Sequence, residues 1–168
     1  EVGPRDGLQN QPEPILTKTK IALIDALSQT GLERIEASAF VHPKWIPQLS
    51  DADEVFAGIQ RNNKVKYTAL VPNDRGWNRA LAAGVDEIAV LTAASETFCQ
   101  RNTNTSIAGT LKRSKPIVEH AIARGIGVRG YISCVIECPY EGRMDFGVVR
   151  NIVSQLLELG VQDIALGE

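Results

Sequence analysis

The sequence predicts an α/β fold in which parallel strands are joined by crossover helices. Short runs rich in β-branched residues alternate with longer segments of helical period, and the cycle repeats without a break. Glycines fall where the helices should stop, at Gly31, Gly84, Gly125 and Gly160. Strict alternation of this kind requires parallel neighbours, because each helix must carry the chain back before the next strand begins.

Glu1-Val2 reads as the end of a first strand. Ile21, Leu23, Ile24, Leu27 and Leu32 then make one apolar stripe, predicting a helix from Thr17 toward Gly31. A short strand follows over 34–37, a second helix over 51–60, and a third strand over 66–71 that Pro72-Asn73 ends. The next helix covers 75–83 and leads to a strand over 87–91. A long helix capped by Ser106 runs to Arg124, followed by a strand over 127–136, a helix over 146–159 and a strand over 163–166. The reading contains six strands and five helical connections, with no linker and no low-complexity segment, so one unit is expected.

Two architectures accommodate this rhythm. An open doubly wound sheet would usually place a glycine-rich phosphate loop after its first strand. The loop here, GPRDGLQNQPEP, contains neither GxGxxG nor GxxxxGK[ST]. Polar residues instead gather at or just past the strand C-termini: Arg5-Asp6, Glu36-Ser38, Pro72-Asn73, Ser95-Glu96, Ser133 and Gly167-Glu168. In a (β/α)8 TIM barrel those ends converge on one mouth. A complete barrel needs two more strands and typically about 250 residues. The expectation is therefore an incomplete barrel with about six βα units over residues 1–168, a catalytic domain truncated at both ends. Six parallel strands cannot close, so its outer strands are expected to be sticky edges.

Composition narrows the function. Hydrophobic residues make up 43% and charged residues 23% of the 168, with a net charge of −2 and no basic stripe, which argues against a nucleic-acid partner. No apolar run approaches the roughly 20 residues that span a bilayer, which argues against a membrane partner. Cys99, Cys134 and Cys138 lack the CxxC pairs or accompanying histidines of a zinc site, so they read as buried free thiols in a reducing compartment.

The first ten residues carry the most chemistry. Arg5 and Asp6 sit between glycines, with Gln9 and Asn10 close behind. Aspartate is a hard oxygen ligand suited to Mg²⁺ or Mn²⁺. Arginine keeps its charge and holds an enolate or carboxylate oxygen. Glu36 lies inside a short strand with Ile35 and Ala37 facing the other way, and Ser38 shares its parity. A carboxylate turned into a barrel mouth must be paired or protonated, which makes Glu36 a candidate. His42 lies in the loop after that strand, whereas His120 sits on a long helix, and no His-x-His occurs. The segment 41–48 reads either as a cover for the mouth or as a surface contact. Cys138-Pro139-Tyr140-Glu141-Gly142 reads as a tight turn. Tyr131 and Ser133 share one face of their strand.

The runs EVGPRDGLQNQ, IEASAFVHPKWIPQLSD, ASETFCQRNTNTSI, VRGYISCVIECPYEGR and DIALGE make the chain resemble the 3-hydroxy-3-methylglutaryl-CoA lyases over its whole length. RDGxQ alone is shared with a wider set of metallolyase barrels, whereas the longer form and the PKWxPQ and CPYEG segments are more particular. The resemblance implies a barrel that binds one divalent cation, Mg²⁺ or Mn²⁺, and cleaves hydroxymethylglutaryl-CoA to acetyl-CoA and acetoacetate. By the same resemblance Asp6 is a metal ligand and Arg5 stabilises the enolate. Gln9 and Glu36 belong to the site, with Ser38 and Tyr131 as neighbours that bind substrate. The partner implied is an acyl-CoA, and the full-length protein is expected to be a cytoplasmic (alternatively mitochondrial-matrix) homodimer.

The family's two histidine ligands and its reactive cysteine fall beyond residue 168, so the segment by itself is expected to be inactive. Glu168 and Ala165 stand where the family shows aspartate and serine. Two alternatives remain open at this point: a related acyltransferase or aldolase of small oxo acids, and a barrel relative without activity.

Overall fold

The computed structural model describes residues 1–168. Strands β1 (Arg34–Ala39), β2 (Lys66–Leu70), β3 (Glu87–Ala93), β4 (Gly127–Ser133) and β7 (Asp163–Leu166) form one sheet, and β5 (Glu137–Cys138) and β6 (Gly142–Arg143) form a small antiparallel hairpin. The helices are α1 (Thr17–Leu27), α2 (Ala52–Gly58), α3 (Asp74–Ala82), α4 (Glu96–Thr103), α5 (Ile107–Ile122) and α6 (Phe146–Glu158). No helix is long and apolar enough to cross a membrane. The chain divides within β3 into two compact units, Glu1–Ile88 and Ala89–Glu168.

In the first unit β1 pairs in parallel with β2, and β2 neighbours β3. Glu1 behaves as the strand stub expected: its amine donates to the Arg34 carbonyl at 2.9 Å and its carbonyl accepts from the Glu36 amide at 2.8 Å. Bonds to residues on either side of one partner are the pattern of a parallel ladder. Ile35 and Tyr67 face the helices, where the Tyr67 hydroxyl meets Ser28 Oγ at 2.8 Å just past α1. Lys20 of α1 is buried and ion-paired to Asp51 at 2.7 Å, which ties α1 to the loop before α2. Gly76 on α3 sits so close to the residue after β1 that a Cβ there would lie 2.5 Å from the Phe40 carbonyl oxygen. Asn73 caps that helix by accepting from the Gly76 amide at 2.9 Å.

In the second unit β3 neighbours β4, and β4 pairs in parallel with β7. Val128, Gly130 and Ile132 are buried while the odd-numbered positions of β4 are half-buried. A Cβ on Gly130 would meet Leu156 and Val161, so the buried face looks toward α6. The strand stops at Ser133, three residues before the expected end, because Cys134 turns the backbone left-handed at φ 57°. The connection from β3 to β4 holds two helices where one was expected, each opened by a serine: Ser95 accepts from the Phe98 amide and Ser106 from the Gly109 amide. Gly84 and Gly160, past α3 and α6, take φ of +65° and +94° and stop their helices as predicted.

Candidate active site

The loop after the Glu1-Val2 stub closes as one π-helical turn, Gly3–Gly7, in which the Leu8 amide donates to the Gly3 carbonyl. This wide turn presents Arg5 and Asp6 together. Arg5 Nε donates to Glu36 Oε1 at 2.5 Å, and Arg5 Nη1 donates to Asp6 Oδ1 at 2.6 Å. Gln9 Nε2 donates to the same Asp6 oxygen at 2.9 Å, and Asn10 Nδ2 donates to the Asp6 carbonyl at 2.9 Å. The guanidinium thus bridges two acids of unlike surroundings, since the Glu36 side chain is 2% exposed and that of Asp6 51%. A buried carboxylate is tolerable here because a fixed cation touches it. Both side-chain hydrogen bonds to Asp6 use Oδ1, none goes to Oδ2, and the side chain is half-exposed.

Behind Glu36 lies a polar group that sequence reasoning passed over. Glu36 stands opposite Thr68 in register, and Thr68 Oγ1 donates to Glu87 Oε2 at 2.9 Å. Arg34 grips Glu87 with two contacts, Nη2 to Oε1 at 3.0 Å and Nε to Oε2 at 2.8 Å. Arg34 and Glu87 each open their strand with a charge, and Arg34 shares the parity of Glu36. That alternation was the available signal.

Ser38 departs from the face assigned to it. The register slips between Glu36 and Ser38, so that Glu36 opposes Thr68 while Ser38 opposes Ala69, the next residue on β2. A bulge of one residue reverses the side-chain parity beyond it. Ser38 therefore shares the helix-facing side of β2 with Ala69. Two residues on, Phe40 packs against Phe56 of α2 with ring centroids 5.6 Å apart, as the reversed parity requires. The buried Ser38 hydroxyl has no hydrogen-bond partner.

His42 lines a cavity of about 460 Å³ alongside α3, together with Phe40, Asp53, Asn73, Arg75 and Arg79, and none of Arg5, Asp6 or Glu36 lines it. Trp45 is 73% exposed, which places the segment 41–48 at the surface at that point. His120 is exposed on α5. No group of three or more His, Cys, Asp or Glu side chains converges to hold a metal ion. Asp6 supplies one hard oxygen donor of the right chemistry for Mg²⁺ or Mn²⁺, and a single donor does not make a site.

In the second unit Tyr131 and Ser133 occupy the same half-buried face of β4, as expected, and Arg129 lies over the Tyr131 ring at 5.5 Å. Glu168 takes the amides of Ile136 at 2.5 Å and Glu137 at 3.1 Å. The hairpin β5–β6 is held against α4. Cys138 Sγ bonds to Ser95 Oγ at 3.0 Å, Glu141 Oε1 accepts from the Thr97 amide at 2.7 Å, and Arg101 stacks on Tyr140 at 4.2 Å. Hydrogen bonds from the Thr97 hydroxyl and then the Thr97 amide hold the Glu141 carboxyl below the ordinary carboxylate range. Cys99, Cys134 and Cys138 are all free and buried.

Polar side chains gathered at strand ends on a parallel α/β frame define the class of the (β/α)-barrel proteins. Within that class the chain belongs to the HMGL-like family, which matches residues 1–168. It is 49% identical over its whole length to a Pseudomonas aeruginosa 3-hydroxy-3-isohexenylglutaryl-CoA/hydroxy-methylglutaryl-CoA lyase and covers 56% of that protein. It is 49% identical to the cytoplasmic 3-hydroxy-3-methylglutaryl-CoA lyase of Danio rerio and 48% identical to the mitochondrial hydroxymethylglutaryl-CoA lyase of Bos taurus, covering 50% and 52% of them. The chain thus spans about half the length of the curated relatives it matches. Among solved structures, the HMG-CoA lyase of Brucella melitensis superposes with a TM-score of 0.98 at 47% identity, all of this chain covering 60% of that one. An Acinetobacter baumannii HMG-CoA lyase in complex with coenzyme A and 3-methylmalate superposes with a TM-score of 0.95 at 38% identity, 99% of this chain covering 54% of it. The fold is accordingly the partial barrel that the strand–helix alternation predicted.

Proposed function

We propose that the protein carrying this chain is a hydroxymethylglutaryl-CoA lyase, cleaving its substrate to acetyl-CoA and acetoacetate. The observation that carries the proposal is the Arg5 guanidinium held between buried Glu36 and half-exposed Asp6 at the end of the first strand. Cleavage of a 3-hydroxy-3-methyl acyl thioester removes the tertiary hydroxyl proton, breaks the bond between C2 and C3, and leaves a thioester enolate. A cation fixed beforehand stabilises that developing charge without reorganising. Arg5 fills this role, and Glu36 fixes the guanidinium and is the acid–base candidate beside it. Gln9 holds the Asp6 carboxylate, and Tyr131 is assigned to the substrate. Ser38, turned to the helix side of the sheet, is assigned to packing instead of to a substrate contact.

A divalent cation, Mg²⁺ or Mn²⁺, belongs to this proposal, with Asp6 Oδ2 as this segment's donor to it. When bound, such an ion polarises the hydroxyl and carboxylate oxygens of the substrate. An acyl-CoA substrate is supported by the coenzyme A in the Acinetobacter structure. A cytoplasmic homodimer acting without nucleic-acid or membrane partners completes the reading. The test is acetoacetate release by the full-length protein from hydroxymethylglutaryl-CoA with each metal, with the 3-isohexenyl analogue in parallel. Turnover that R5M abolishes is expected. No cleavage of either substrate with either metal overturns the proposal.

A further inference from the structure

The sequence 133–138 is pinned at both ends to two consecutive residues. The Ser133 carbonyl accepts from the Ala94 amide at 2.9 Å, and Cys138 Sγ bonds to Ser95 Oγ at 3.0 Å. Between these anchors Cys134 turns the chain back through the left-handed region, where a residue with a side chain is held at a cost that glycine avoids. Cys134 stands at the turn and Cys138 four residues on, and each thiol feels the other as an electrostatic neighbour. Both are buried and neither is bonded to another cysteine. We propose that Cys134 and Cys138 form a dithiol that closes reversibly to a disulfide on exposure to a hydroperoxide, a redox-sensitive staple in the hairpin after β4.

The two thiols are unlike. Burial raises the Cys138 thiol, but the Ser95 hydroxyl and the backbone amides of Tyr140 and Glu141 outweigh it and bring the group below its usual range. Burial and the neighbouring Cys138 push the Cys134 thiol up to about 11. Cys138 is thus the sulfur that reacts first. Its thiolate attacks the hydroperoxide, the O–O bond breaks, and an alcohol leaves with the thiol's proton, giving a sulfenic acid. The Cys134 sulfur then attacks that sulfur. The S–S bond forms, the S–O bond breaks, and the departing hydroxide takes the Cys134 proton as water. Two thiols and one hydroperoxide give one disulfide, one alcohol and one water. Opening of the hairpin admits the oxidant, since β5 and β6 pair over only two residues each and Ile136, Glu137 and Tyr140 are already exposed.

The staple does not depend on the lyase reading. The whole protein is treated with graded tert-butyl hydroperoxide, denatured with an alkylating agent, and cut with trypsin, which releases residues 130–143 with both cysteines on one peptide. The expected product is that peptide unalkylated and lighter by two hydrogens, restored by dithiothreitol, while Cys99 stays alkylated. In C134S the same peptide should instead carry one added oxygen that dimedone traps. Wild-type peptide that stays doubly alkylated until Cys99 oxidises, or that only gains oxygen, overturns the proposal.

Discussion

Replacing Arg5 by methionine removes the cation and keeps much of the apolar stem. The Glu36 side chain is 2% exposed and its Oε1 lies 2.5 Å from Arg5 Nε, whose side chain is 11% exposed. Breaking a buried ion pair from one side costs about 3–5 kcal/mol, because the remaining charge stays in the interior. E36Q is the milder change, since the guanidinium keeps Asp6 Oδ1 at 2.6 Å, and about 1–3 kcal/mol is expected. D6N touches a side chain that is half in water and should cost under about 1 kcal/mol. In the double variant R5M/E36Q no charge is stranded, so its loss should fall short of the summed single losses by about 1–3 kcal/mol. Urea unfolding of the full-length protein, followed by far-ultraviolet circular dichroism at pH 7, measures all four. R5M no more destabilising than D6N, or a double variant equal to the sum of the singles, would refute the claim that a buried ion pair organises this turn.

G76A drives a Cβ to 2.5 Å from the Phe40 carbonyl oxygen, a backbone atom that cannot swing away, and should lower stability by about 1–3 kcal/mol, whereas G7A, with nothing within 4 Å, should stay within about 0.5 kcal/mol in the same unfolding assay. Y67F removes a hydroxyl that contacts Ser28 Oγ at 2.8 Å and accepts from the Asn62 amide at 2.9 Å, and a loss of about 1–3 kcal/mol is expected from the buried Ser28 and half-buried Asn62 groups left behind. Because the folded Cys134 thiol ionises at about 11 against 9.0 for an ordinary thiol, the unfolded chain loses its proton first. Stability should therefore fall as pH rises from about 9 to about 11, and less steeply in C134A. Residues 1–168 expressed alone should self-associate in analytical ultracentrifugation, since β7 is an outermost strand with Leu166 59% exposed, and a monodisperse monomer would contradict this.

What the sequence made legible followed from periodicity. Helices of nine residues or more and strands of four or more were found with ends near their observed positions, since each presents a repeating face to a core. What it concealed is shorter than a period or depends on a neighbour. The hairpin β5–β6 has two residues per strand, too few to alternate. Helix α4 has eight residues, a polar stretch from Gln100 to Thr103, and one buried side chain, Cys99, so no stripe announces it. The bulge at Ala37 leaves no trace in composition, because Ala37, Ser38 and Ala39 are all small and all buried. One inserted residue in the register was enough to move Ser38 from the face of Glu36 to the helix side.

The Arg5–Glu36 pair shows the opposite case. The two residues lie 31 apart, and no local rule connects them. Topology does, because a parallel sheet brings the end of each strand beside the end of its neighbour. Glu1 pairs across Ile35 through the Arg34 carbonyl and the Glu36 amide, so the turn after the stub must open beside Glu36. The π-helical turn then decides which side chain arrives, holding Pro4 in the interior and sending Arg5 inward to the buried acid while Asp6 stays half in water. Reading a barrel from the alternation was therefore already a statement about the site. The pairing of Arg5 with Glu36 follows from strand adjacency, and the division of labour between Glu36 and Asp6 follows from their unequal burial.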